Sequence, residues 1–137
     1  MDQGPLVTEQ LDAGLTFLGE YEKKFPVQVA FWIKNVEGKW RLYVASEKIS
    51  DSNFTLGYKE VVRITHEHPD PWLDPFQIRV IGADDLLAKA ALDAIQQTPK
   101  PMYKRLRQTK FGTEFVEEIC IYPLLNTWDL NGSSRQV

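Results

Sequence analysis

Residues 27–45 read VQVAFWIKNVEGKWRLYVA, and the way they fold decides the architecture of the chain. Val27, Val29, Phe31 and Ile33 alternate with Gln28, Ala30, Trp32 and Lys34. After a turn-type stretch at 35–39, Trp40, Leu42 and Val44 alternate with Arg41, Tyr43 and Ala45. A period of two on both sides of a short polar link predicts an antiparallel hairpin. In the simplest alignment Val29, Phe31, Leu42 and Val44 share the face that meets the helices, leaving Trp32, Arg41 and Tyr43 on the other.

Before the hairpin, Thr8 caps a first helix in which Leu11, Leu15, Leu18 and Phe25 recur at helical spacing until Pro26 blocks continuation. Gly14 and Gly19 weaken it, so packing rather than propensity must hold it. After the hairpin, Ser50, Asp51 and Ser52 supply capping groups for a second helix carrying Phe54, Tyr58, Val61 and Val62. The prolines of HEHPDPWLDP, residues 66–75, make a stiff connection. Phe76, Ile78 and Val80 then predict a third strand, and Asp84 and Asp85 open a third helix, DDLLAKAALDAIQQ, with carboxylates at its positive end. Residues 103–109 and 115–122 around Gly112 predict a closing hairpin. The expected fold is a single α+β domain over 1–137, with frayed ends near 1–7 and 129–137. It has a mostly antiparallel sheet of about five strands and three helices in the order α-β-β-α-β-α-β-β. A doubly wound parallel sheet is disfavoured because regular βαβ alternation is absent.

A chain of 137 residues and 15.8 kDa is the size of one domain. Hydrophobic residues at 43% and charged ones at 26% exclude wholesale disorder, and a formal charge of −3 argues against a generally basic coat for nucleic acid. No secretory signal, membrane-spanning run or prenylation cysteine is read, and the one cysteine, Cys120, lies between Ile119 and Ile121 as a buried thiol would. A cytoplasmic location is expected. The glycines never form G-x-G, and P-loop, nucleophile-elbow and zinc-helix motifs are missing. No catalytic residue is assigned and no cofactor is expected.

Three constellations carry chemistry. His66, His68, Asp70 and Asp74 bring imidazoles and carboxylates together, a weak alternative metal site whose ordinary reading is a solvated helix end. Lys100, Lys104, Arg105, Arg107 and Lys110 make a basic stretch interleaved with Tyr103 and Phe111. That combination suits phosphates and stacked bases, an acidic protein surface, or the protection of a sheet edge. The third is the sheet face opposite the helices. Trp32, Arg41, Tyr43, Arg79 and Tyr122, with Glu118 and Cys120, would offer the aromatic and arginine anchors of protein interfaces, unless a helix covers them.

The runs AFWIKNVEGKWRLYVAS (30–46) and FGTEFVEEICIYPL (111–124) resemble small bacterial proteins without an assigned activity. In those a helix leads to a proline-bounded strand, and a late strand carries an acidic pair and then a tyrosine, here Glu117, Glu118 and Tyr122. The resemblance spans roughly 8–125, implies a bacterial cytoplasmic origin, and carries over no functional residue. The expected function is a non-catalytic interaction or regulatory module that binds itself or a protein partner through Trp32, Arg41, Tyr43, Arg79 and Tyr122. The alternatives are a nucleic-acid-binding protein using Lys104, Arg105, Arg107, Lys110, Tyr103 and Phe111, and a metal-dependent enzyme around His66 and His68.

Overall fold

A computed structural model describes residues 4–99, 102–112 and 114–124. Helix α1 is Thr8–Glu22, followed by strands β1, Val29–Lys34, and β2, Trp40–Ser46. Helix α2 is Phe54–Glu67, a 3₁₀ turn occupies Pro75–Gln77, and β3 is Ile78–Gly82. Helix α3, Leu86–Gln96, precedes β4, Lys104–Phe111, and β5, Glu114–Ile121. The strands form one five-stranded sheet in the order β3-β2-β1-β5-β4. All neighbours are antiparallel except β2 and β3, which run parallel because α2 returns the chain to the end where β2 began. The α+β class and element order are those expected, with one parallel pair in a mostly antiparallel sheet. Among the described residues no helix is long and apolar enough to cross a membrane.

Central strand β1 is buried along its whole length, because both faces of the sheet are covered there. On one side α1 and α2 pack on Ala30, Trp32, Leu42, Val44, Ile78, Val80, Cys120 and Tyr122. On the other, α3 packs on Val29, Phe31, Ile33, Ala45, Ile119 and Ile121. This corrects the expected alignment of faces. The register pairs Trp32 with Leu42 and Phe31 with Tyr43, so Leu42 and Val44 share a face with Trp32 rather than with Phe31. Alternation separates the two faces of each strand, but it does not say which set in one strand belongs with which set in the next.

The helix ends are also shifted. The residue before α1 is Val7, which cannot cap by side chain; instead its N–H donates to Gln10 Oε1 at 3.3 Å. Residues 4–7 lie against the fold, with Leu6 buried and Trp40 Nε1 donating to Gly4 O at 2.9 Å. The expected frayed stretch 129–137 lies outside the described residues. Asn53, not Ser50, Asp51 or Ser52, stands at the start of α2, and its amide ties the preceding loop by accepting from Ser50 N–H and donating to Lys48 O. Asp85 caps α3 as expected, its Oδ1 accepting from Leu87 N–H at 2.8 Å. Phe76 falls in the 3₁₀ turn and is 82% exposed, so β3 begins two residues later than its apolar pattern suggests.

Two tyrosines join the helices to the rest, each opposite a helix glycine. Tyr122 Oη donates to Leu11 O at 2.7 Å and accepts from Trp32 Nε1 at 2.9 Å, in space that a Cβ at Gly14 would occupy. Tyr21 Oη donates to Gly57 O at 3.2 Å, where a Cβ would press on Ile49 and Val80. Burial pushes both phenols well above the ordinary tyrosine range.

Candidate functional site

The expected five-residue contact face does not exist as one surface. Trp32 and Tyr122 are core residues, bonded to each other on the α1 side. Arg41, Tyr43 and Arg79 lie half-buried on the opposite side, because each precedes or follows a residue of the α1/α2 core. Tyr43 stacks in parallel on Phe31, with centroids 5.3 Å apart, and pairs across the strands with Arg79. Arg41 and Arg79 turn a guanidinium N–H back to the carbonyls of Trp40 and Phe76, at 3.1 and 2.7 Å.

The residues of the suggested metal site do not converge either. His68 closes α2 and faces Glu20 across 3.9 Å, while His66 is exposed in the last helical turn. Asp70 and Asp74 are folded onto their own backbone, accepting from Trp72 and Phe76 N–H at 2.8 and 2.7 Å. Among the described residues no group of three or more His, Cys, Asp or Glu could hold a metal ion.

The basic stretch does form a surface, and a local irregularity shapes it. Leu106 and Phe111 both face α3 although they are five positions apart, and so do Val116 and Ile119, three apart on the paired strand. Strict alternation forbids both spacings, so each strand changes phase between these residues. The change falls where Gln108 adopts φ 43°, and the Gln108–Glu117 pair is missing from an otherwise continuous ladder. A non-glycine residue in this left-handed region costs about 1 kcal/mol or more, so the surrounding structure must hold it there. The consequence is that Lys110 and Phe115 emerge on the α1 side of the ribbon, with Arg105 and Arg107.

That side carries exposed Arg105, Arg107, Lys110 and Phe115, the last 59% exposed, with half-buried Tyr103 at the proximal end against Tyr122. Glu118 is held from two directions, by the buried Lys34 ammonium at 3.9 Å and by Arg107 Nε at 3.7 Å. Burial raises the Tyr103 phenol, with the charges of Cys120 and Asp12 adding to it and Arg105 opposing. Two residues of the expected nucleic-acid set are elsewhere. Phe111 is buried on the α3 side, edge-on to Phe31 at 6.0 Å, and Lys104 also belongs to that side through its pairing with Ile121. Lys100 lies outside the described residues. Phe115 is absent from the expected set, since a strict period of two carried back from Ile119 and Ile121 places it on their side; the mismatched apolar spacings in both halves of the hairpin are the available signal.

The two edges of the sheet differ. On β3 the outward-facing Ile78 N–H reaches Pro75 O, Val80 N–H reaches Tyr58 Oη at 3.0 Å, and Gly82 O accepts from Asp85 N–H at 3.1 Å. Outer strand β4 has no such contacts among the described residues. A basic edge strand of this kind also discourages pairing with a second copy of itself.

An open cleft of about 600 Å³ lies at the carboxyl ends of the parallel strands β2 and β3, where α2 and α3 depart to opposite faces. Its walls include Glu47, Asp51, Asp84 and Asp85 beside the starts of both helices, where carboxylates offset the positive ends of the helix dipoles. Cys120, buried in β5 between Trp32 of β1 and Arg105 of β4, has its thiol pushed up to about 11 by burial, with Arg105 opposing. It is therefore held as an inert thiol at neutral pH. Compared with protein-family models, curated proteins and solved structures, the chain has no significant match.

Proposed function

We propose that this chain is an interaction module that binds an acidic protein partner through the α1 side of the β4–β5 ribbon. The observation that carries this reading is the phase change at Gln108, which collects Arg105, Arg107 and Lys110 with exposed Phe115 on one side of an open edge strand. Strain of this kind persists where a specific arrangement of side chains needs it. The cations stand out against a chain whose formal charge is −3, so their field would steer an acidic partner to this edge. Phe115 adds the apolar anchor that exposed ion pairs alone do not supply.

Single-stranded nucleic acid is the second reading, favoured by Tyr103 and Phe115 flanking the three cations. Titrating isotope-labelled protein with an acidic peptide and, separately, with oligothymidylate tests both by NMR. Shifts at Arg105, Arg107, Lys110 and Phe115 with the peptide, lost in Arg105→Glu/Arg107→Glu of unchanged thermal stability, are expected. Shifts centred on Arg41, Tyr43 and Arg79 would move the contact surface to the opposite face. Binding of oligothymidylate alone, weakening with salt by about 0.7 log units per decade for each phosphate neutralised, would establish the second reading.

A further inference from the structure

We propose that the partner adds an extended segment to β4 as a sixth, antiparallel strand, with carboxylates at two alternate positions lying beside Arg105 and Arg107. This rests on the reading of the β4–β5 ribbon as the contact surface and adds how that surface is read.

The hydrogen-bonding direction of each strand follows from two bonds at the ends of the ladders. Asn35 N–H donates to Lys39 O at 2.9 Å, which directs the odd residues of β1 toward β2. Tyr122 N–H donates to Ala30 O at 3.0 Å, which directs the even residues of β1 and of the adjoining part of β5 toward each other. Ile119 and Ile121 therefore point their backbone groups at β4, where they meet Leu106 and Lys104. The N–H and C=O groups of Arg105 and Arg107 are left facing outward from the sheet, and no backbone bond from a turn or loop reaches them among the described residues. Beyond Arg107 the ladder is interrupted at Gln108, so the regular edge offered to an added strand is short and ends where the ribbon changes phase.

An antiparallel strand that bonds Arg105 and Arg107 places two of its own residues, two positions apart, directly opposite them. Their side chains fall on the α1 side, within reach of both guanidinium groups, and repeat at about 7 Å as the two arginines do. Carboxylates match this spacing and charge. Arg107 can turn to a new carboxylate because Glu118 retains Lys34 at 3.9 Å. A second copy of β4 would instead set arginine against arginine, which excludes self-pairing in this register. The opposite edge does not compete, since three of its outward groups are already bonded.

The test uses the full chain and three capped seven-residue peptides, Thr-Thr-Glu-Thr-Glu-Thr-Thr and two N-methylated forms, followed by NMR titration. Methylating both glutamate nitrogens removes the N–H groups that would donate to the Arg105 and Arg107 carbonyls and leaves every charge in place. Methylating only the threonine between them alters a nitrogen that faces away. The expected result is a loss of affinity of about tenfold or more for the first form, with the second within a few-fold of the parent. A Lys-for-Glu peptide should bind Arg105→Glu/Arg107→Glu and not the natural chain. Equal binding of all three acidic peptides overturns strand addition and leaves the basic surface standing. No peptide binding, or binding of oligothymidylate alone, overturns the acidic-protein reading and this inference with it.

Discussion

Removing one oxygen, in Tyr122→Phe, tests how the first helix is fastened to the sheet that carries the basic ribbon. The Tyr122 hydroxyl accepts from Trp32 Nε1 at 2.9 Å and donates to Leu11 O at 2.7 Å. Leu11 O lies within α1 and keeps its bond from the following turn, so losing the tyrosine proton leaves it satisfied. Trp32 has no such reserve, because its side chain is fully buried. An orphaned buried donor costs about 1–3 kcal/mol, and the lost bond to Leu11 adds about 0.5–1 kcal/mol, giving about 1.5–4 kcal/mol in all. Gly14→Ala in the natural background gains about 1 kcal/mol of helix propensity but drives a methyl group into the Tyr122 hydroxyl. A stiff ring in a packed core yields poorly, and overpacking costs about 1–3 kcal/mol, so a net loss is expected. With Phe at position 122 the overlapping atom is gone, and the nearest remaining atoms, Trp32 Nε1 and Tyr122 Cζ, lie at 3.3 Å from the added Cβ. The double variant should then be as stable as Tyr122→Phe alone or slightly more so, a coupling of about 2 kcal/mol. Urea unfolding followed by tryptophan fluorescence measures all four corners of the cycle. An equal penalty for Gly14→Ala in both backgrounds would refute the claim that glycine is there to seat the hydroxyl.

Two further outcomes follow from strain and from titration. Gln108→Gly should raise stability by up to about 1 kcal/mol in thermal unfolding, because glycine adopts φ 43° freely, while Gln108→Val should lower it by about 1–2 kcal/mol; no difference between the two variants would remove the strained phase change. Glu60 is buried in α2, and its hydrogen bonds to Arg63 hold its carboxyl below the ordinary range, against the opposing effect of burial and with help from the charges of Arg63 and Lys24. A depressed carboxyl adds stability above the unfolded-state pKa, and that stability is lost as pH falls through the folded-state value. Stability should therefore decline more steeply on acidification below about pH 4.5 in the natural chain than in Glu60→Gln, and parallel profiles would dismiss the pair as a contributor.

The elements that declare themselves in the sequence are those with a single local cause. The hairpin at 27–45 alternates around a polar turn, and α3 has alanine, leucine and a capping aspartate, and both form where they were expected. What alternation could not supply was the pairing of faces, and this decided the fate of the first candidate site. Phe31 and Trp32 are equally buried, on opposite sides of the same strand, so neither looks more interior than the other in sequence. Trp32 and Tyr122, read as interface anchors, are interior because α1 crosses exactly the face they occupy, which is visible only once Leu11 and Gly14 are brought against Tyr122. The basic residues were legible as a cluster. Their side of the ribbon was not, since it depends on one backbone angle at Gln108.

The path of α3 explains why this cluster stands at an open edge. After β3 the chain passes to the face opposite α1 and α2 and crosses beneath β1, so its last hairpin joins at the far side of the sheet. The edge it leaves behind is closed by residues that immediately precede and follow β3 and by Tyr58 of α2. The edge it reaches has no later described element to close it, and there the chain places Lys104, Arg105, Arg107 and Lys110. Charge is the cheapest way to keep such an edge from pairing with its own kind, and the repulsion has a sign. An edge that rejects a second copy by positive charge is the edge that an acidic strand finds both unpaired and attractive. Exposed ion pairs contribute only about 0.2–1 kcal/mol each, and a few backbone bonds add little more, so a contact made this way is weak unless an apolar residue is covered as well. Phe115, brought to that side by the same turn of backbone that brings Lys110, is the residue placed to make recognition there more than electrostatic.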